Sequence, residues 1–221
     1  MAEIFSFQKE IHHYFYIFTE NIKLNMAQSI TKQQLKEMPL VAYHDIRDKL
    51  KTGDIFFSSG SYLFSGIIQS LTRSTWSHVA IVYKDEALGR VLVMEAEPFI
   101  GIRLVPLSKY LKDYKDNDKP YKGQIALAKL NVDVTKKNMN EGISFGLDEL
   151  GRPYDNIEII RIMVRILLRI SQRSANRNYI CSEFVRDVFS AAKVDMPYVD
   201  TYISPDNIWS DKRVEFMYRV L

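Results

Sequence analysis

Apolar side chains at Ile4, Phe7, Ile11, Phe15, Phe18 and Ile22 recur every three or four residues and predict an amphipathic helix over residues 4–24. Shorter helical stretches are expected around 31–38 and 45–50, before Thr52-Gly53-Asp54 breaks the pattern. Residues 1–51 therefore read as an N-terminal helical extension, and residues 52–221 as the main domain. From residue 54 the texture changes to strands, over 54–58, 77–83, 90–96, 101–105 and 124–130, with a helix over 62–71 between the first two. The runs 77–83 and 90–96, parted by a turn at 84–89, form a hairpin. In 124–130 both alternating faces are largely apolar, the mark of a strand covered on two sides. Helices are expected over 135–150, ended by Gly151 and Pro153, over 157 to about 173, and over 181–194, stopped by Pro197. A short turn at 205–210 and a last strand at 213–220 complete the chain. Strands gathered in the middle, with helices before and after, make an α+β fold rather than an alternating parallel sheet.

The 221 residues are 47% hydrophobic and 26% charged, which is enough apolar material for a sizeable core and excludes a disordered or coiled-coil chain. A single cysteine, Cys181, excludes an internal disulfide and a Cys-rich zinc site, so packing alone must hold the fold. The net charge is +3, and its placement matters more than its size. Residues 156–178 carry five Arg and one Glu, a net +4, which leaves −1 for all the rest. One local basic element is not a nucleic-acid footprint, and no nucleic-acid partner is expected. No run of about 18 uncharged apolar residues would span a bilayer, and no signal-peptide pattern opens the chain. The cytoplasm is the expected compartment.

Cys181 falls at the first turn of the helix expected over 181–194. There the unpaired backbone N–H groups and the positive end of the helix dipole favour a thiolate, and the same N–H groups can hold an oxyanion. A second reading stands beside it, in which Cys181 extends the apolar stripe of Phe184, Val185, Val188 and Ala192 as a small buried hydrophobe. A nucleophilic thiol needs a base. His12, His13 and His44 lie in the extension without an acid at an informative spacing. His78 opens one hairpin strand, and Glu95 lies near the end of the next, where pairing brings the two ends together. A carboxylate there would set the imidazole tautomer and stabilise its charged form, unless the two are unrelated edge residues.

Six segments in order, Gly53-Asp54-Ile55-Phe56-Phe57, Ser77-His78-Val79-Ala80-Ile81-Val82, Met94-Glu95-Ala96, Gly151-Arg152-Pro153-Tyr154-Asp155, Tyr179-Ile180-Cys181-Ser182-Glu183-Phe184-Val185 and Ser204-Pro205-Asp206, resemble the circularly permuted NlpC-type papain-fold hydrolases of the YiiX-like group. The resemblance covers residues 52–221. It implies a papain-like α+β fold, with an antiparallel sheet packed on the helix that bears the nucleophile. It also implies Cys181 as nucleophile, His78 as general base, Glu95 as the third member and Tyr154 as a substrate or oxyanion contact, if it is not simply packed on the helix N-terminus. Lone His and carboxylates without ligand spacing call for no metal and no organic cofactor. Asp54 reads as turn chemistry. The activity implied is acyl transfer from an amide or ester, with a peptide-like, amino-acyl or lipid acyl donor. Glu95, in place of the second histidine of the lecithin:retinol acyltransferase branch, favours the bacterial-type hydrolases. A catalytically silent binding or membrane-surface module on the same scaffold is the reading from another class.

Within 157–173, Arg161, Arg165 and Arg169 recur at four-residue spacing among Ile, Leu, Met and Val, so they form one charged stripe on an otherwise apolar helix. Such a helix could meet a lipid interface or an anionic substrate, or be a largely buried helix with one solvated stripe. Its place between Tyr154 and Cys181 suits a wall of the cleft. The aromatic-rich segment 4–24 is core, a cover for the cleft, or a contact with a second copy, and the oligomeric state is open.

Overall fold

The computed structural model describes residues 30–60, 74–97, 100–152, 181–196 and 203–221. The helices expected over 4–24, 62–71 and 157–173, with the arginine stripe, lie outside these residues, as does Tyr154.

Helix α1 (Lys32–Glu37) starts at Thr31, whose hydroxyl accepts from the Gln34 N–H while the Gln34 side chain accepts from the Thr31 N–H, a reciprocal cap. Helix α2 covers only Tyr43–Ile46, and residues 47–49 turn, where the sequence suggests a helix running to residue 50. Six strands follow: β1 (Ile55–Gly60), β2 (His78–Asp85), β3 (Arg90–Glu97), β4 (Gly101–Pro106), β5 (Gly123–Leu130) and β6 (Val214–Arg219). They form one antiparallel sheet in the order β4-β3-β2-β1-β5-β6. The hairpin expected from the sequence is β2–β3, closed at Asp85 opposite Arg90. The Asp85 carboxylate accepts from the N–H groups of Ala87 and Leu88 at 3.0 Å, and Gly89 takes a φ of +58° that a side chain would disfavour.

Each face of the sheet carries its own core. On one face Ile55, Phe57, Val79, Ile81, Met94, Ala96, Ala126 and Ala128 meet helix α5 (Cys181–Ala191) through Phe184, Val185, Val188 and Phe189. On the other Phe56, Ala80, Val82, Val93, Ile125 and Leu127 meet Leu107 and Tyr110 of a short helix α3 (Leu107–Lys112). This two-sided cover is why residues 124–130 are apolar on both faces. Helix α4 (Lys136–Asp148), capped by the Thr135 hydroxyl, packs on α5 through Gly142 and Gly146. Short helix α6 (Pro205–Trp209) delivers Trp209 against Trp76, ring centroids 4.7 Å apart. Residues 30–51 belong to both cores, through Leu35 and Met38 on one side and Ile46 and Leu50 on the other. No helix of the described residues is long and apolar enough to cross a membrane.

Candidate active site

Cys181 is the first residue of α5, half-buried and packed against the first core. The apolar stripe behind it fixes the helix on the sheet, and the Ser182 hydroxyl ties the helix start by donating to the Ile203 carbonyl at 2.6 Å. The thiol lies beside His78 and helps to raise the imidazole's pKa.

His78 is the first residue of β2 and is held at the sheet end by its neighbours. The Ser77 N–H donates to the Ser58 carbonyl at 3.0 Å, and the Ser77 hydroxyl accepts from the Gly60 N–H at 3.1 Å. Strand alternation puts His78 and Glu95 on the face of Phe56 and Tyr110, opposite the face that α5 covers. Cys181 and His78 meet because one begins its helix and the other begins its strand.

The His78 Nε2 is 2.6 Å from Glu95 Oε2, which leaves Nδ1 for the thiol. Glu95 is completely buried, and its carboxylate is saturated. Oε2 also accepts from the Tyr110 hydroxyl at 2.5 Å, and Oε1 accepts from Arg103 Nε at 2.8 Å, with Arg103 Nη2 in ion-pair contact at the same distance. Burial pushes the Glu95 carboxyl up, but the hydrogen bond and charge of His78, the Arg103 cation and the Tyr110 hydroxyl outweigh it and hold it below its usual range. Burial likewise opposes an imidazolium at His78, yet the bonds to Cys181 and Glu95 and their negative charge raise it well above the ordinary histidine value. Burial and the neighbouring carboxylates push the Tyr110 phenol up, so it stays a donor. The result is a row of alternating groups, thiol, imidazole, carboxylate and guanidinium, buried at His78 and Glu95.

Sequence reasoning missed Arg103, Tyr110 and a second carboxylate, Glu97. Arg103 lies opposite Glu95 in the β3–β4 register, so a hairpin reading of those strands would have found it. Tyr110 sits on a helix of six residues with no side-chain cap, too short for periodicity to reveal. His78, Glu95 and Glu97 each offer one nitrogen or carboxylate oxygen, all within 4.8 Å of one another. Asp54 stays with the turn, accepting from the Lys51 N–H at 2.8 Å.

With this geometry in view, comparison with known proteins gives one decisive match, to the permuted papain-like amidase enzymes YaeF/YiiX, C92 family, over residues 49–212. The chain belongs to this C92 family. Among solved structures it is similar to the metalloprotein yiiX from Escherichia coli O157:H7, at 20% identity and a TM-score of 0.45, over 64% of this chain. The match spans 66% of the length of that chain. No curated protein matches.

Proposed function

We propose that this C92 chain is a cysteine amidase that works through an acyl-enzyme on Cys181, with His78 as base and acid and Glu95 as the third member. The observation that carries this reading is the Cys181 thiol beside His78, which is itself hydrogen-bonded to a buried Glu95. The His78 imidazole takes the thiol proton, and Sγ attacks the carbonyl carbon of an amide. The C–S bond forms as the carbonyl electrons move to oxygen, where N–H groups at the start of α5 donate to the oxyanion. His78 then gives its proton to the leaving nitrogen, the C–N bond breaks, and a thioester remains. Water, deprotonated by His78, attacks the thioester and releases the acid and the thiol. An alcohol or amine in place of water would make the same enzyme an acyltransferase, and an ester would serve as donor by the same steps.

Glu95 orients His78 and balances its charge throughout, itself held ionised by Arg103. The solved relative is described as a metalloprotein. Here His78, Glu95 and Glu97 do not fit a resident cation: Glu95 is filled by three side chains, and the Arg103 charge beside it opposes another. No step runs through a metal. Tyr154 belongs to the proposal as a contact for a peptide-like, amino-acyl or lipid acyl substrate. Arg161, Arg165 and Arg169 belong to it as a peripheral membrane contact, which Arg161→Glu with Arg165→Glu should abolish in liposome sedimentation. A lone thiol suits the reducing cytoplasm as the place of work.

The test is the pH dependence of Cys181 alkylation by iodoacetamide, read by mass spectrometry in wild type and His78→Ala. Fast labelling at about pH 5 to 6 that collapses in His78→Ala is expected of a thiolate held by an imidazolium. An ordinary thiol profile, equal in both proteins, would leave the binding-module reading in its place.

A further inference from the structure

The mechanism above asks two opposite things of His78, to take the Cys181 proton and then to release it to the leaving nitrogen. After the release the imidazole is neutral and the thioester carries no charge, while Glu95 is still a carboxylate with no access to water. A buried carboxylate that loses its cationic partner is costly, and that cost holds the proton on the His78–Glu95 pair unless a second cation remains.

Arg103 is placed to be that cation. His78 Nε2 bonds Glu95 Oε2 at 2.6 Å, and Arg103 Nε bonds the other oxygen, Oε1, at 2.8 Å, so the two nitrogens are less than about 8 Å apart. Arg103 stands opposite Glu95 in the β3–β4 register, so paired strands hold it there. The Glu95 and Glu97 charges strengthen its hold on its own proton, and it stays charged throughout. The other groups around the pair bring no positive charge to Glu95. His78 is faced by the Cys181 thiol from α5, by Glu95 and Glu97 from β3, by the uncharged Ser58 across the strand pair in β1, and by the Tyr121 phenol. Burial pushes the Tyr121 and Tyr110 phenols up, so both are neutral, and burial with the Glu95 charge pushes Glu97 up. Among the described residues, Arg103 is the one cation besides His78 that is bonded to Glu95.

We propose that Arg103 is a positioning residue for the second proton transfer: acting through Glu95, it loosens the pair's hold on its proton, so that His78 can act as acid towards the leaving nitrogen. This differs in sign from merely keeping Glu95 ionised. If that were its whole role, losing Arg103 would leave a neutral acid beside the imidazole, and His78 would give up its proton at lower pH. In the role proposed here, losing Arg103 leaves the imidazolium as the sole cation on a buried carboxylate, and His78 keeps its proton to higher pH. The inference rests on Cys181 and His78 acting as described above.

The test needs no known substrate. The His78 ring is followed by NMR in the full chain with isotope-labelled histidine, its signal identified by its loss in His78→Ala, over about pH 5 to pH 10. The parent chain carries Cys181→Ala, so that, as in the thioester, no thiolate faces the imidazole. Arg103→Gln is expected to raise the pH at which His78 loses its proton by about one unit, the effect of one charge at this separation in a partly desolvated site. Arg103→Met is a second neutral variant that keeps the packing of the stem and should give the same rise, so either one that folds decides the matter. Arg103→Lys keeps the charge and should stay close to the parent; a rise as large as that of Arg103→Gln would trace the effect to lost contacts and overturn the proposal. An unchanged or lowered value in the neutral variants would overturn it too. The rise should persist when Glu97→Gln is added, and its disappearance there would assign the effect to Glu97 instead. Iodoacetamide labelling of Cys181 in the otherwise unaltered chain separates this role from the reading beneath it. If labelling depends on His78 while the titration ignores Arg103, only the positioning role falls. If labelling is independent of His78, the acyl-transfer reading falls, and the role of Arg103 with it.

Discussion

Glu95 is an acid with no access to water, and it stays ionised only because three hydrogen bonds from His78, Tyr110 and Arg103, with the Arg103 charge, replace its hydration. Removing one donor exposes how much each carries. Arg103→Gln takes away the cation and should destabilise the fold by about 2–3 kcal/mol, below the range for a wholly buried pair because solvent reaches part of Arg103. The sign of its pH effect follows from Glu95. A carboxyl held low in the folded state contributes stability above its unfolded value, and that contribution is lost as pH falls through its folded value. Without Arg103 the folded value rises, so the loss on acidification begins at a higher pH, visible in urea melts between pH 4 and pH 7. Tyr110→Phe removes one neutral donor and should cost about 1–2 kcal/mol in the same melts, with no such shift of comparable size.

At the scale of elements, the turn into β1 and the contact of α4 with α5 decide whether the site's two halves face each other. Asp54 enters β1 nearly buried, with its carboxyl pushed up to about 6 by burial against the weaker pull of the Lys51 N–H and nearby lysines. A carboxyl raised in the folded state costs stability once it must ionise, so the penalty is absent below its unfolded value and grows as pH rises through about 6. Asp54→Asn should therefore gain on wild type between about pH 4 and pH 7, by up to about 3 kcal/mol, in denaturation curves taken across that range. Gly142 has a different constraint: a Cβ there would lie 2.6 Å from the Val188 carbonyl oxygen and 2.9 Å from Ala192 Cβ. Gly142→Ala should push α5 off α4 at a cost of about 1–3 kcal/mol, read by thermal melting, and slow Cys181 alkylation by displacing the helix that carries it. The long elements were legible because their periodicity follows burial. Helix α3 was not, since six residues span less than two turns, and its one decisive side chain, Tyr110, looks like any aromatic until β4 turns it back over Glu95.

On the scale of the whole molecule, residues 30–51 are bound into the body of the fold. Leu35, Met38, Ile46 and Leu50 are each at most 4% exposed, and the Arg219 guanidinium donates to the carbonyls of Lys36 at 2.6 Å and Met38 at 3.0 Å. A chain begun at Thr52 strips those four side chains from two cores, a loss of roughly 6–10 kcal/mol, comparable to the whole stability of a domain. Such a truncation should be insoluble or unfolded by circular dichroism, whereas a chain begun at Ile30 keeps every one of these contacts.

The periodicity of apolar residues determined the strands and helices α4 and α5, and the order of His78, Glu95 and Cys181 pointed to the family, because periodicity and motif order are properties of the linear chain. Pairing decided the rest. By cross-strand position alone Glu97 has as good a claim on His78 as Glu95, and only the converging Arg103 and Tyr110 select Glu95 as the ionised partner. A hydrogen-bond network is a matter of distances between residues far apart in sequence, and those distances exist only once the sheet has closed around them.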